Sequence, residues 1–281
     1  MIEIYSKDYV TEQKEKMAER VEALKAKGIH PSMTTFLVKG RSANAQYAKV
    51  KGRFAETIGV DYHLVELDAE TTTEDLIKAI EEKNQDPNTH GIMVEMPLPE
   101  HIDERQIRIA LDPDKDVDAL HPIHLGNLLH QRPSTIPNTP LAAMKMLELA
   151  GTEFKGKDCV VIGNSTVVGR PLAELLEQKE ATVTLCHIYT NDTAKFTREA
   201  DIVCSATGVP HLVTEDMIKE GATIVDIGTT YTEEGKLLGD VDYENVAPKT
   251  RAITPVPGGV GPVTQVMLFD QMITRLEKEA N

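Results

Sequence analysis

One predicted helix brings an aromatic ring next to an amine. Tyr47 and Lys51 are four residues apart in a segment, roughly Asn44 to Ile58, that we predict to be helical, so they share a face. A ring in that position can stack on a planar substrate while the amine transfers protons. A lysine one turn from a tyrosine is also typical of a solvated helix face, and the spacing alone leaves both interpretations open.

Carboxylates follow apolar segments in the same half of the chain. Glu95 comes directly after the apolar run Ile92–Val94, and Asp116 and Asp118 lie in the stretch Lys115-Asp116-Val117-Asp118. A carboxylate at the end of a buried strand can pair with a lysine or face water. The same two interpretations hold for the two aspartates, which are also compatible with a solvated loop.

A strand followed by a glycine turn predicts a nucleotide site in the second half. The apolar run Cys159–Ile162 leads into Gly163, and a helix is expected within a few residues, which exposes N–H groups to a pyrophosphate. Gly163 permits a tight turn, and Gly169 permits close approach of the helix to the strand. The spacing departs from G-x-G-x-x-G because Ser165 occupies the second position. A plain strand-turn-helix connection without a ligand stays possible.

Small residues follow the other predicted strands of this half. They are what a flat cofactor lying across a sheet edge requires. The stretch where an acidic residue often holds the ribose of NAD reads Cys186-His187-Ile188-Tyr189-Thr190 and has no acid. The sequence therefore does not distinguish NAD from NADP. The candidate cofactor-binding residues are Gly163, Asn164, Ser165, Val168, Gly169, Thr190, Ala206, Thr207, Gly208 and Thr229.

Helices and strands alternate along both halves of the chain. This pattern predicts an α/β protein with parallel sheets and crossover helices. The predicted strands are Met33–Val38, Tyr62–Leu67, Ile92–Val94, Cys159–Ile162, Thr182–Cys186, Ile202–Ser205, Thr223–Ile227 and Ala252–Pro255. The predicted helices are 8–27, 44–58, one capped by Thr72 or Thr73, 103–111, 141–150 and 263–278, and the remainder of 97–140 is interpreted as long loops.

Composition restricts the function classes. The 281 residues suggest two domains, and the net charge of -15 disfavours binding to nucleic acid or to an anionic membrane. Cys159, Cys186 and Cys204 lie in apolar runs without CxxC spacing, and the histidines show no HExxH pattern, so we expect buried free thiols and no metal site. The first residues lack a secretory pattern and no apolar run reaches about 20 residues, so we expect a cytoplasmic protein.

Several motifs together resemble the bifunctional methylenetetrahydrofolate dehydrogenase/methenyltetrahydrofolate cyclohydrolase family along nearly the whole chain. The resemblance rests on Tyr47–Lys51, Gly91–Pro99, Asp114–Asp118, Gly163–Pro171, Gly239–Asp242 and Thr254–Thr264. The last run, Thr-Pro-Val-Pro-Gly-Gly-Val-Gly-Pro-Val-Thr, is close to a signature. The resemblance implies a folate-binding domain of residues 1–140 with the terminal helix, about 265–281, and a Rossmann-type domain of residues 141–264, with a cleft between them.

The resemblance also implies roles for individual residues. Lys51 would be the general acid and base, Tyr47 would stack on the aminobenzoyl ring, and Asp118 would hold the pterin. The implied catalytic set is Tyr47, Lys51, Glu95 and Asp118, and the implied substrate-binding set is Tyr47, Leu98, Pro99, Asp118, Pro255, Gly258 and Gly259. The implied cofactor is NADP, with NAD possible, and the implied partners are a reduced folate and a second copy of the chain. The implied role is in one-carbon metabolism and purine biosynthesis.

The chain departs from the family pattern at several positions. The family usually has Gln at Glu95, Gly at Ala119, Ser at Asn44 and Cys at Asn138. A carboxylate at 95 favours the charged form of a nearby lysine, so we expect weak cyclohydrolase activity or a more alkaline optimum.

The cofactor segment departs as well. Many relatives have Arg at the position of Asn164 and Ser at that of Ile188, and both serve the NADP 2′-phosphate. Their loss predicts weaker phosphate recognition and leaves NAD use open. Lys195 or Arg198 would be the replacements to consider.

Other functions remain alternatives at this point. One is a related two-domain dehydrogenase acting on shikimate or an amino acid. Another is a folate- or nucleotide-binding protein that has lost catalysis. The Pro-Gly-Gly-Val-Gly-Pro run and the Tyr47/Lys51 pair disfavour the first, and the presence of Lys51 disfavours the second.

Overall fold

The chain divides into two compact units. The computed structural model describes residues 1–39, 42–132, 134–232 and 234–280, with side chains in the second range described from residue 46 onward. The N-terminal unit comprises Thr11–Thr135 and Leu268–Asn281, and the C-terminal unit comprises Met1–Val10 and Ile136–Met267. Each unit is built on its own parallel sheet.

The first half of the chain alternates helices and short strands. Its elements are β1 (Ile2–Glu3), α1 (Lys7–Ala26), β2 (Ser32–Val38), α2 (Ser42–Ile58), β3 (Asp61–Leu67), α3 (Thr73–Gln85), β4 (Gly91–Val94), α4 (Glu104–Ala110) and α5 (Pro122–Leu129). Thr72 caps α3 in a capping box with Asp75, as the predicted cap requires. In the N-terminal unit the sheet order is β3-β2-β4, all parallel, and the central strand β2 is buried at every residue.

The helix α5 corrects the interpretation of this region as long loops. Pro122 is its first residue, where the missing N–H is harmless and the fixed φ favours helix. The Nδ1 atom of His121 accepts the N–H of Ile123 at 3.2 Å and caps the helix. His124 and Leu128, four residues apart, form its buried face. A run rich in Pro and His was therefore a misleading loop signal.

The second half contains the larger sheet. Its elements are α6 (Asn138–Leu149), β5 (Asp158–Ile162), α7 (Gly169–Glu177), β6 (Thr182–Cys186), α8 (Thr193–Thr197), β7 (Ile202–Ser205), β8 (Thr223–Asp226), β9 (Thr230–Tyr231), β10 (Leu237–Leu238), α9 (Tyr243–Val246), β11 (Ala252–Ile253) and α10 (Val260–Glu279), with 3-10 turns at Glu215–Met217 and Ala247–Lys249. The sheet order is β1-β11-β8-β7-β5-β6, and each of its pairs is parallel. β9 and β10 form a separate antiparallel pair that the sequence did not predict.

The N-terminal segment differs from the predicted domain division. Residues 1–10 were assigned to the folate-binding domain, but the structure places them in the C-terminal unit. The reason is strand pairing: Ile2 and Glu3 align with Ala252 and Ile253 of β11 at the edge of the larger sheet. A strand of two residues carries no detectable period, so the sequence could not reveal it.

Apolar packing holds each unit together. In the N-terminal unit, Phe54 of α2 stacks on Phe269 of α10 with 5.3 Å between ring centroids. In the C-terminal unit, Cys159, Cys186 and Cys204 are buried and free, and burial raises the pKa of all three thiols. Within the described residues, every helix is too short or too polar to serve as a transmembrane segment.

Candidate active site

Helix α2 presents Lys51 on its buried face. Ala48, Lys51 and Ala55 are buried, at the three- and four-residue spacing of a helix that packs on a sheet. Lys51 is only 5% exposed, whereas Tyr47, one turn before it, is 39% exposed. The lysine is therefore not part of a solvated face, and the chemical interpretation of the Tyr47/Lys51 spacing gains support.

Lys51 pairs with Glu95 at the end of β4. The distance from Lys51 Nζ to Glu95 Oε1 is 2.7 Å, and each side chain is 6% exposed. The contact has the distance of an ion pair, although Oε1 lacks a partner of hydrogen-bonding geometry among the described residues. Two charges removed from water in this way are stable only together, because either one alone would bear the full desolvation cost.

Opposing effects act on the Glu95 carboxyl. Burial raises its pKa, Lys51 lowers it through charge and hydrogen bonding, and the charge of Asp118 raises it again. Burial is the largest of these effects. The group that replaces the family's glutamine is thus a carboxyl whose proton affinity is high for a glutamate and whose charge depends on the nearby amine.

The segment that carries Asp118 pairs with β4 through a single parallel β-bridge between Asp116 and Ile92. Ile92 donates its N–H to Lys115 O at 2.7 Å and accepts that of Val117, so the segment runs parallel to β4. Two residues further along, Asp118 is half-buried and close enough to Glu95 for its charge to act there. The structure therefore brings Lys51, Glu95 and Asp118 together.

Asp116 holds the backbone that carries Asp118. Its Oδ1 accepts the N–H of Asp118 at 3.2 Å, and its Oδ2 accepts that of His121 at 2.7 Å. Burial raises the pKa of Asp116 to about 7. The buried His124 has Nε2 3.5 Å from Asp116 Oδ2, and burial lowers its pKa. The structural role of His124 depends on a helix that the sequence did not reveal.

Three further positions depart from the family pattern: Ala119, Asn138 and Asn44. Ala119 has φ of 54°, a left-handed conformation that glycine adopts more readily, which explains why the family prefers glycine there. Asn138 is buried at the first turn of α6. The side chain of Asn44 lies outside the described residues. Leu98 is buried and Pro99 half-buried in the loop after β4.

The turn after β5 has the close packing that a dinucleotide site needs. Gly163 has φ of 105°, and a Cβ there would lie 2.4 Å from Ala206 O. A Cβ at Gly169 would lie 1.7 Å from Gly163 O. Ser165 Oγ accepts the N–H groups of Val168 and Gly169, and Arg170 Nε donates to Asn164 O at 3.0 Å. Both predicted glycine roles are thus seen, and the residues fit a bound pyrophosphate.

The candidate cofactor residues follow adjacent strands of one sheet edge. Gly163 follows β5 and Ala206 follows β7, which are neighbours, and β6 and β8 flank them. The next strand after β5 in the chain, β6, lies on one side of it, and the strand after that, β7, lies on the other side. The strand order therefore reverses at β5, and the carboxyl ends of β5 and β7 form the topological switch point. Thr207 donates from both its N–H and its Oγ1 to Asp240 Oδ2, at 2.7 and 2.8 Å. Thr190 follows β6, and Gly208 and Thr229 follow β7 and β8.

The Pro-Gly-Gly loop of the C-terminal unit is anchored by the N-terminal segment. Gly258 has φ of 107°, and its carbonyl accepts the N–H and the Oγ of Ser6 at 2.9 and 2.8 Å. A Cβ at Gly259 would lie 2.6 Å from Pro255 O, so the loop folds closely on itself. Glycines are required here by geometry, which accounts for the strength of this sequence signal.

Lys195 and Arg198 do not lie where a 2′-phosphate partner is needed. Arg198 Nε donates to Asp216 O at 2.8 Å. Lys195 lines a depression with Asp158 and Thr182, which begin β5 and β6 and are therefore at the opposite edge from the glycine turn. Ile188, at the position of the serine, is 90% exposed.

Comparison with known proteins covers both halves of the chain. The family model of the tetrahydrofolate dehydrogenase/cyclohydrolase catalytic domain matches residues 4–118, and that of the corresponding NAD(P)-binding domain matches residues 137–280. A bifunctional protein FolD of Staphylococcus carnosus is 42% identical over 95% of this chain and 93% of the relative.

Solved structures give the same result. The bifunctional FolD enzyme of Campylobacter jejuni has a TM-score of 0.96 at 39% identity, over 99% of both chains. A Trypanosoma brucei methylenetetrahydrofolate dehydrogenase-cyclohydrolase, solved with NADP and an inhibitor, has a TM-score of 0.95 at 35% identity, over 99% of this chain and 98% of the other.

Proposed function

The chain belongs to the tetrahydrofolate dehydrogenase/cyclohydrolase family, and we propose that Lys51, paired with Glu95, is the group that transfers protons in its reactions. It oxidises 5,10-methylenetetrahydrofolate with NADP and hydrolyses the methenyl product to 10-formyltetrahydrofolate. The observation that supports the role of Lys51 is its burial: an amine that is 5% exposed and faces a carboxylate is held for chemistry rather than for solubility.

The hydrolytic step needs one group that both accepts and donates a proton. Water adds to the methenyl carbon and gives one proton to the amine of Lys51. The bond from that carbon to N5 then breaks as the ammonium protonates N5 and the hydroxyl proton passes to the amine, from which one proton is released to solvent in each turnover. The amine of Lys51 accepts the proton in its neutral form and returns it in its charged form. Glu95 balances the charge of the ammonium and holds the amine in place.

Other residues bind and orient the folate in this proposal. Tyr47, exposed and one turn from Lys51, presents its ring to the aminobenzoyl group. Asp118 accepts hydrogen bonds from the pterin, and its position depends on Asp116. The loop residues complete the substrate-binding set: Leu98, Pro99, Pro255, Gly258 and Gly259.

Bound NADP would supply the hydride acceptor for the methylene carbon. The chain's part is to bind it at the carboxyl edge of the larger sheet, where Gly163 and Gly169 leave room for the pyrophosphate and Thr207 is fixed by Asp240. The set proposed to contact it comprises Gly163, Asn164, Ser165, Val168, Gly169, Thr190, Ala206, Thr207, Gly208 and Thr229. With Asn164 and Ile188 at two phosphate-facing positions, we propose a lower preference for NADP over NAD than in relatives that have Arg and Ser there.

The alternative functions are not favoured. A shikimate- or amino-acid-type dehydrogenase would not match family models of folate enzymes over both halves. A binding protein without catalysis would have no need to keep the buried pair of Lys51 and Glu95. Weak cyclohydrolase activity owing to Glu95 stays a hypothesis within the assigned function.

We also propose a homodimer formed through the C-terminal unit, residence in the cytoplasm, and a supply of formyl groups for purine biosynthesis. The product, 10-formyltetrahydrofolate, is a formyl donor, and the net charge of -15 suits a protein that avoids nucleic acid and anionic membranes. Sedimentation analysis of the purified protein checks the dimer, and a monomer at micromolar concentration would contradict it.

A direct assay tests the assignment of Lys51. Absorbance follows methenyltetrahydrofolate as it forms with NADP and disappears on hydrolysis, so one experiment measures both reactions. The wild-type chain is expected to catalyse both, and Lys51→Met to lose the hydrolysis. Retention of full hydrolysis by Lys51→Met would remove Lys51 from the mechanism.

A further inference from the structure

Two buried hydroxyl oxygens lie on the same sheet face as the Lys51–Glu95 pair and are not used by the proposed mechanism. Thr35 Oγ1 and the Tyr62 hydroxyl are buried and close to each other, but neither has a hydrogen-bond partner of good geometry among the described residues. Glu95 Oε1, although 2.7 Å from Lys51 Nζ, is in the same condition. Leaving such a group unsatisfied costs roughly 1–3 kcal/mol, so each is expected to bind something polar.

The three oxygens lie on one face of the smaller sheet. Tyr62 of β3 aligns with Met33 of β2, and Thr35 is two residues further along β2, so their side chains share a face. Thr35 aligns with Met93 of β4, and Glu95 is again two residues further. The central strand thus places Thr35 between the tyrosine on one side and the glutamate on the other.

Helix α2 covers this same face. A Cβ at Gly52 would lie 3.1 Å from Tyr62 Cδ1, so the tyrosine ring packs against the helix at the residue following Lys51. The space between α2 and the sheet therefore contains the amine, the carboxylate and the two hydroxyls. Thr35 is completely buried, and Glu95 is 5% exposed, so this space has little contact with bulk water.

We propose that Tyr62 and Thr35 bind a water molecule that donates to Glu95, and that Tyr62 is thereby a positioning residue for the Lys51–Glu95 pair. Buried waters typically make about three hydrogen bonds to polar groups of this kind. A carboxylate that accepts from the water is fixed in one orientation, and the ammonium it faces is fixed with it. The proposal rests on the assignment of Lys51 and Glu95 made above.

The electrostatics agree with this arrangement. Burial raises the pKa of Tyr62 to about 12, the Thr35 hydroxyl lowers it, and the charge of Glu95 raises it further, so Tyr62 stays protonated and able to donate. The charged or titratable groups that face Glu95 are Lys51 from α2, Tyr62 from β3 and Asp118 from the segment beside β4. Of these three groups, Tyr62 is the one whose effect on Glu95 can be tested by removing a single oxygen atom, in the variant Tyr62→Phe.

The variant Tyr62→Phe tests the proposal by its pH profile. Loss of a hydrogen bond to the carboxylate raises the pKa of Glu95 and weakens its support for the ammonium, so the acidic limb of the cyclohydrolase kcat profile should move to lower pH by about half a unit or more, in the same direction as in Glu95→Gln. KM for the folate should stay the same, because Tyr62 is not among the residues proposed to bind the substrate. Tyr231→Phe, at a tyrosine that is 47% exposed in β9, is the matched control and should leave the profile in place.

The same substitution in a Glu95→Gln background shows whether Tyr62 acts through Glu95. An amide does not titrate, so Tyr62→Phe should then produce no further shift. A shift of equal size in both backgrounds, or no shift in the wild-type background, overturns the proposal. Thermal unfolding of each variant verifies that it is folded at the pH values compared.

A crystal structure provides a test that is independent of activity. Density for a water within hydrogen-bonding distance of Tyr62 Oη and a Glu95 oxygen is the expected result, with its loss or displacement in Tyr62→Phe. Absence of that density in well-ordered crystals overturns the proposal. If Lys51→Met keeps full hydrolysis, the assignment of the site fails; if it loses hydrolysis while Tyr62→Phe behaves like wild type, only the role of Tyr62 fails.

Discussion

Lys51 and Glu95 form an ion pair whose two side chains are each 6% exposed, with 2.7 Å between Nζ and Oε1. Removing one partner of a buried pair generally costs about 3–5 kcal/mol, because the other charge is left without compensation. A buried ionisable group that lacks a partner can avoid this cost by becoming neutral, an amine by losing a proton and a carboxylate by gaining one. The pair is therefore suited to moving a proton, and substitutions in it should change reactivity and pH dependence together.

Replacement of Lys51 by Met should abolish hydrolysis while keeping the helix packed. Methionine has a similar length and no charge, and loss of a general acid and base typically costs about 10²–10⁴ in rate. We expect the cyclohydrolase kcat to fall at least about 100-fold. Lys49→Met, at an exposed lysine of the same helix, is the control and should retain the rate. A cyclohydrolase rate near wild type in Lys51→Met would contradict the prediction.

Replacement of Glu95 by Gln should move the cyclohydrolase pH profile to lower pH. A carboxylate beside an amine stabilises the charged form, and an amide of equal size does not, so the substitution removes an electrostatic effect that opposes proton acceptance. Hydrolysis of methenyltetrahydrofolate, followed from pH 6 to 9, should be faster at pH 7 in the variant. Glu66→Gln, at an exposed glutamate near the end of β3, serves as the control. Identical profiles for wild type and Glu95→Gln would refute the effect.

The sequence predicted the regular elements better than the contacts between them. The strands Thr182–Cys186 and Ile202–Ser205 were predicted with the bounds that the structure has. The second is buried at every residue, and a buried parallel strand is typically a nearly continuous apolar run. Helix α5 and strand β1 were missed. A helix that begins with a proline after a histidine cap, and a strand of two residues, both depend on tertiary partners that no local pattern contains.

The candidate site shows the same limit. Spacing brought Tyr47 and Lys51 to one helix, but the pairing of Lys51 with Glu95 needs the distance between α2 and the end of β4, which sequence spacing does not encode. Tyr62 and Thr35 gave no signal, since a tyrosine and a threonine in strands are ordinary β residues. Only the register of β2 with β3 and β4 shows that they share a face with Glu95.

Asp116 should make stability depend on pH in a defined direction. Its folded pKa of about 7 lies above the unfolded value of 3.8, so its proton is held more tightly in the folded state. The unfolded chain therefore loses this proton between about pH 4 and pH 7 while the folded chain keeps it, and the free energy of unfolding falls as pH rises through that window. Above pH 7 the penalty is complete.

The variant Asp116→Asn isolates this contribution. Its free energy of unfolding, relative to that of the wild type, should increase from pH 5 to pH 8 by an amount on the order of a few kcal/mol. Urea unfolding at both pH values measures it, and taking the difference removes the opposite effect of the buried His124. Asp114→Asn, at an exposed aspartate of the same segment, should show no such trend. A constant difference between wild type and Asp116→Asn would mean that Asp116 does not titrate in this range.

A methyl group at residue 169 should damage the cofactor site. The Cβ of Gly169→Ala would lie 1.7 Å from Gly163 O and 2.7 Å from Gly163 C, so either α7 or the turn after β5 has to move. Backbone atoms cannot rotate away as a flexible side chain does, and overpacking of this kind costs about 1–3 kcal/mol or more. We expect the Kd for NADP, measured by calorimetry, to rise at least about tenfold, since the N–H groups of the turn no longer converge on the phosphate.

The matched control is Gly126→Ala in α5. The added Cβ meets no atom within 4 Å, and alanine replaces a poor helix former, so this variant should bind NADP normally and unfold at the same or a higher temperature. Normal NADP affinity in Gly169→Ala would mean that the close approach of α7 to the turn is not what forms the phosphate site.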